Sequence, residues 1–117
     1  MKSMTQPDYQ RLEHILDYCT DILETTARFD ESEEIFLGDK VYQQSVAFCI
    51  LQIGELANGL SEEYRRETAA AVAWRQIRGM RNIVAHNYGS VSLSVLWSTV
   101  RDDIPNLAQF CKKELGS

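Results

Sequence analysis

Apolar residues recur at steps of three and four through almost the whole of this chain, and only two prolines and six glycines interrupt them. Side chains three and four apart share one face of an α-helix; a strand would need alternation, and no alternating stretch persists. The pattern therefore restricts the chain to helices packed on helices. A first long helix is expected at about residues 8–27, where Leu12, Ile15, Leu16, Cys19, Ile22 and Leu23 make one narrow stripe. Thr5, Pro7 and Asp8 supply its start signals. Residues 29–38 read as a short acidic connection.

The second long helix, at about residues 39–60, has a different character. Tyr42, Val46, Cys49, Ile53, Leu56 and Leu60 form one apolar face, while Val41, Phe48 and Leu51 lie on another. A helix apolar on two sides is buried on two sides, and in so small a protein the second cover is expected to be another subunit. Ser61 followed by Glu62 and Glu63 reads as the N-cap and first turn of a short helix reaching about residue 67. An alanine-rich connection follows. A third long helix spans residues 74–87 and stops near Gly89. Ser92 suits an N-cap, with Val91 and Leu96 spaced as a hydrophobic staple. The fourth helix carries Leu93, Leu96, Trp97, Val100, Ile104, Leu107 and Cys111 on one face. Pro105 lacks an N–H and clashes with the carbonyl of residue 101, so it should kink this helix. The expected fold is all-α, an antiparallel bundle of four main helices plus a short one, as a single domain over residues 1–117.

With 44% hydrophobic residues in 117, such a domain buries about two-thirds of its unfolded surface and folds without cross-links. Cys19, Cys49 and Cys111 each fall on an apolar helical face and read as buried thiols in a reducing compartment. No close cysteine pair suggests zinc, and neither metal nor cofactor is expected. The first eight residues lack the apolar segment of a signal peptide, and no run approaches the ~20 residues of a membrane span. The expectation is a soluble cytoplasmic protein. A net charge of −5 and a pI near 5.0 exclude a generic nucleic-acid-coating protein, which needs many phosphate contacts. A small local basic site remains compatible with that charge.

Such a site lies on the third helix. Arg81-Asn82-Ile83-Val84-Ala85-His86-Asn87-Tyr88 places a fixed cation, a titratable imidazole and a phenol within eight residues. Arg75, Arg78, Asn82 and His86 fall within about 80° of one another on a helical wheel, with no carboxylate among them. Ile77, Met80 and Val84 occupy the opposite side. The chemistry that suits these groups is RNA cleavage. His86 can take the proton of a ribose 2′-OH or protonate the leaving 5′-oxygen. Arg81 can stabilise charge building on the phosphoryl oxygens, and Asn82 can hold the imidazole or a phosphate oxygen. Arg75 and Arg78 are candidate RNA contacts, and Tyr88 a phosphate contact or a site of modification. Arg81 and His86, five apart, stand about 140° from each other on an ideal helix. Acting on one phosphate therefore requires either a loosened helix near Gly89 or a second chain that completes the site. His14 reads as a surface residue, and Trp74 and Trp97 as core anchors.

Beyond these residues, the runs Trp74-Arg75-Gln76-Ile77 and Gly79-Met80-Arg81-Asn82-Ile83-Val84-Ala85-His86-Asn87-Tyr88 resemble the signature of the HepT-like toxins of the HEPN superfamily. The likeness extends to Ile53-Gly54-Glu55-Leu56-Ala57, Leu60-Ser61-Glu62-Glu63-Tyr64 and Asp103-Ile104-Pro105-Asn106-Leu107. It covers about residues 40–110 in order; residues 1–38 match only in helical character, and residues 68–73 are less proline-rich than expected for the family. The resemblance implies an all-α homodimer with an interfacial cleft and a metal-independent endoribonuclease. Its Arg and His map onto Arg81 and His86, its polar residue onto Asn82 and its Tyr onto Tyr88. It also implies a minimal nucleotidyltransferase as antitoxin, which in some members transfers AMP to the Tyr. The alternative is a catalytically silent module of the same fold that binds a nucleotide or scaffolds the nucleotidyltransferase.

Overall fold

The computed structural model describes residues 4–87 and 92–116, and of residues 83 and 85–87 the backbone alone. Its helices are α1 (Gln6–Arg28), α2 (Glu33–Gly38), α3 (Lys40–Gly59), α4 (Glu62–Glu67), α5 (Trp74–Asn87), α6 (Leu93–Ser98) and α7 (Ile104–Glu114). A π-helical turn, Thr99–Asp103, joins the last two. No strand occurs among the described residues, so the fold is all-α as the periodicity requires.

Short polar side chains set where the helices begin. Thr5 and Asp8 form a capping box on α1, each side chain accepting from the other's backbone N–H at 3.2 Å. Asp39 Oδ1 accepts from Tyr42 N at 3.0 Å, and Ser61 Oγ from Tyr64 N at 3.2 Å, opening α3 and α4. Ser92 caps α6 in the same way, while Gly89 and the Val91 half of the expected staple lie outside the described residues.

Two connections differ from expectation. Residues 29–38 are not a plain linker but contain α2, because Ser32 Oγ caps Ile35 N and Phe36 is fully buried between Tyr42 and Trp97. The Gln43 side chain then closes the last turn of α2 by donating to the carbonyls of Phe36 and Leu37 at 2.8 and 3.2 Å. The kink expected at Pro105 takes the form of the π-helical turn ahead of it. Ile104 N–H reaches back five residues to the carbonyl of Thr99, which widens the turn where the proline ring must clear residue 101. Asn106 Nδ2 donates to the carbonyl of Asp102 at 2.9 Å.

Helix α3 is the central element: α1 and α5 both pack against it, α1 also meets α7, and α2 bridges α3 and α6. Leu12, Ile15, Cys19 and Ile22 of α1 are buried, with Leu16 and Leu23 at the margin. Each fully buried aliphatic side chain contributes about 1.5–3 kcal/mol. Cys19, Cys49 and Cys111 are buried free thiols, and Trp74 and Trp97 are core residues. His14 is exposed. On α3 the buried arc is rotated from the expected face. It includes Ala47, Ile50, Gly54 and Ala57, whereas Leu56 is only partly buried. Val41 and Phe48 stay 75% and 55% exposed while Leu51 packs partly against the core, so this chain alone leaves most of that second apolar face uncovered.

Candidate active site

The start of α5 is fixed by a relay of hydrogen bonds that begins at the first turn of α1. The buried Asp8 carboxylate accepts from Ser61 N at 2.8 Å and from Ser61 Oγ at 2.7 Å. Burial works to raise the Asp8 pKa, but the bonds from Ser61 and Thr5 outweigh it and hold the carboxyl below its ordinary value. Ser61 caps α4, and the Tyr64 hydroxyl donates to Glu114 Oε1 at 2.6 Å, tying α4 to the end of α7. The Thr68 hydroxyl donates to the Tyr64 carbonyl and accepts from Trp74 Nε1, both at 2.8 Å. Trp74 also meets the Phe110 ring edge-on at 5.9 Å. The connection at residues 68–73 is therefore the mount from which α5 leaves.

Farther along α5, Arg81 faces α3. Gly54 makes the approach close: a Cβ at position 54 would lie 2.9 Å from Arg81 Cγ and nearer still to its Cβ. The guanidinium binds the neighbouring residue on α3, with Nε donating to Glu55 Oε1 and Nη2 paired with the same oxygen. Nη1 donates to Asn82 Oδ1 at 2.8 Å. The pair remains open to solvent, with side chains 37% exposed for Arg81 and 48% for Glu55. One turn earlier, Arg78 Nε donates to Asn58 Oδ1 at 3.0 Å. Arg75 and Asn82 are exposed and Arg78 is half-buried.

The structure thus brings Arg81 and Asn82 into direct contact and places Arg78 beside them. Arg75 lies on the outer surface of the same helix, two turns before Asn82. His86 falls in the last turn of α5, one turn beyond Asn82, and its side chain lies outside the described residues, as does all of Tyr88. A carboxylate does pair with Arg81, contributed by α3. The sequence pattern held a hint of it, since Gly54-Glu55 interrupts an apolar helix interior where glycine is unfavourable by ~1 kcal/mol. A wheel drawn on α5 alone could not reveal it.

On another side of α5, Ile77 and Met80 face Ile50, Ile53, Ile104 and Leu107 across an apolar cavity of about 170 Å³. Among the described residues no three His, Cys, Asp or Glu side chains are placed to share a metal ion. No described helix is long and apolar enough to cross a membrane.

Comparison with known proteins adds a family. Residues 15–114 match the family described as "Ribonuclease HepT-like". A relative from Caldanaerobacter subterraneus subsp. tengcongensis, named "Putative RNase TTE0752", is 34% identical over 104 residues, spanning 89% of this chain and 90% of the relative. "Putative RNase MJ1380" of Methanocaldococcus jannaschii is 31% identical, covering 86% of each chain. "Probable ribonuclease HepT" of Thermococcus cleftensis is 35% identical over 78% of this chain and 86% of its own. No solved structure gives a significant match.

Proposed function

The chain belongs to the HepT-like ribonuclease family, and on that premise we propose that it is a metal-independent endoribonuclease acting through Arg81 and His86. The observation that carries this reading is the mounting of α5: Arg81 is gripped at its root by α3 and Glu55, on the helix whose last turn holds His86. In the reaction, an imidazole takes the ribose 2′-OH proton, and the 2′-oxygen forms a bond to phosphorus. The bond from phosphorus to the 5′-oxygen breaks, and that oxygen receives a proton. Arg81 offsets the charge that builds on the phosphoryl oxygens, while Arg75 and Arg78 attract the RNA backbone. The products end in a 2′,3′-cyclic phosphate and a 5′-hydroxyl, and DNA is spared because it lacks the nucleophile.

A homodimer supports this chemistry, because two copies would supply one imidazole as base and one as acid. Val41, Gln44 and Phe48 share an exposed stripe of α3 that runs on, by helical register, to Glu55 beside Arg81. A second copy seated on that stripe would lie against the site. The protein acts as the toxin of a toxin–antitoxin pair, with a minimal nucleotidyltransferase as antitoxin. AMP transfer to Tyr88 would silence it by placing a bulky anion beside an anion-binding site.

The test is purified protein with matched RNA and DNA in excess EDTA, beside His86→Ala. RNA cleavage that disappears in the variant, with DNA intact, is expected. Unchanged RNA, or cleavage that persists in the variant, would sink the reading. The pairing of Arg81 with Glu55 lowers the positive charge at the site and favours the second reading, a silent module that binds a nucleotide or scaffolds the nucleotidyltransferase. The same assay separates the two.

A further inference from the structure

A guanidinium carries five N–H donors in a rigid plane. In Arg81 Nε donates to Glu55 Oε1, Nη2 lies in ion-pair contact with the same oxygen, and Nη1 donates to Asn82 Oδ1. Among the described residues this leaves at least one hydrogen on each terminal nitrogen. Donors that remain on the two terminal nitrogens can serve two oxygens of one phosphate. The stem is constrained too, because Gly54 lets its Cβ and Cγ settle directly on α3.

Resting on the ribonuclease reading above, we propose that Glu55 is a positioning residue: its carboxylate holds the Nε edge of Arg81 so that the Nη1–Nη2 edge faces the scissile phosphate of the RNA. Asn82 Oδ1 supports the same orientation from within α5. This role accounts for an arrangement that otherwise works against substrate. A carboxylate beside the principal cation weakens attraction for a polyanion, and an ion pair this exposed adds little to folding stability. What it supplies is orientation fixed before substrate arrives, so the arginine does not lose that freedom in the transition state.

Orientation and charge make opposite demands on Glu55, and that gives the test. Glu55→Gln keeps the size of the side chain, removes a negative charge near the phosphate and weakens the grip on Arg81. Steady-state cleavage of a short RNA should show kcat falling on the order of ten- to a hundredfold, with KM unchanged or lower. The thermal midpoint should stay within a few degrees of wild type. Arg81→Lys has no planar fork to orient, so adding Glu55→Gln to it should lower kcat little further. A folded Glu55→Gln protein with wild-type or higher kcat would overturn the proposal, as would fully additive losses in the double variant.

A second readout does not depend on cleavage. The Arg81 Nε–H resonance, assigned by its loss in Arg81→Lys, should exchange slowly with solvent in the wild type and fast in Glu55→Gln. Equal exchange rates would overturn the positioning role even in an inactive protein. Failure of wild-type protein to cleave RNA, with Arg81 Nε–H still protected by Glu55, would count against the ribonuclease reading alone.

Discussion

Glycines 54 and 79 sit in helix interiors and have opposite surroundings, which makes them a matched pair for experiment. At Gly54 an added Cβ overlaps the root of Arg81, whereas at Gly79 it meets nothing within 4 Å among the described residues beyond its own helix backbone. Gly54→Ala must push α5 from α3 and should destabilise the fold by about 1–3 kcal/mol. Gly79→Ala removes only the helix penalty of glycine and should stabilise it by up to ~1 kcal/mol. Urea titrations of the two variants check both signs; a loss of stability at Gly79→Ala would show that the outer face of α5 is tighter than it looks. Asp8 belongs to the same scale. Its folded pKa lies below the ordinary 3.8, so its stabilising effect is complete near neutral pH. That effect fades as pH drops beneath 3.8 and is gone once pH has fallen through the depressed folded value. Asp8→Asn should therefore be less stable than wild type by about 1–3 kcal/mol at pH 7. The gap should close toward pH 2, as read from urea midpoints across that range.

At the level of elements, N-caps were legible because they act within a few residues. Thr5, Ser61 and Ser92 start the helices that the sequence assigns to them. Ser32 obeys the same rule, yet the acidic run around it hid α2, whose stability comes from burying Phe36 beneath distant Trp97. Pro105 announced a disturbance but not its form, since a bend and a π turn both relieve the clash with residue 101. The candidate site was legible by half. Arg81, Asn82 and Arg78 belong to one helix and can be read from its register. Glu55 and Asn58 reach them only because Gly54 lets two helices meet, and one helix's periodicity cannot name its neighbour. The mount of α5 was likewise hidden, because Thr68 and Trp74 are joined by side chains across a turn. Trp74→Phe keeps an aromatic ring but deletes that bond and leaves a small void, so it should lower stability by about 1–3 kcal/mol. Hydrogen exchange should then accelerate first in the opening turn of α5; uniform acceleration across all helices would argue that Trp74 serves only the general core.

For the whole molecule, the uncovered stripe of α3 is the feature to explain. Phe48→Glu places a charge at the middle of that stripe, where Tyr18 supplies only a ring contact at 6.3 Å. If the stripe joins two copies, light scattering should show the wild type near twice 13.4 kDa and the variant near 13.4 kDa. RNA cleavage should fall in parallel. A wild-type mass of one chain at micromolar concentration would count against a shared site.

Among the described residues, α5 packs chiefly on α3, whereas α1 packs against both α3 and α7. The three thiols are buried along those contacts, one on each of α1, α3 and α7. Burial pushes Cys49 up to about 11, with Asp21 adding to it, and Cys111 up to about 12, with Glu114 adding to it; Cys19 is raised as well. Cysteine labelling therefore reports when the core opens, and RNA cleavage reports whether α5 is in place. On gradual heating the second signal should fail some degrees before the first appears, since a helix packed chiefly on one neighbour detaches by local opening. Coincident loss would show that α5 shares the core's cooperativity. The expected order describes a protein that a modest disturbance can disarm without unfolding, and that regains its site as soon as one helix settles back.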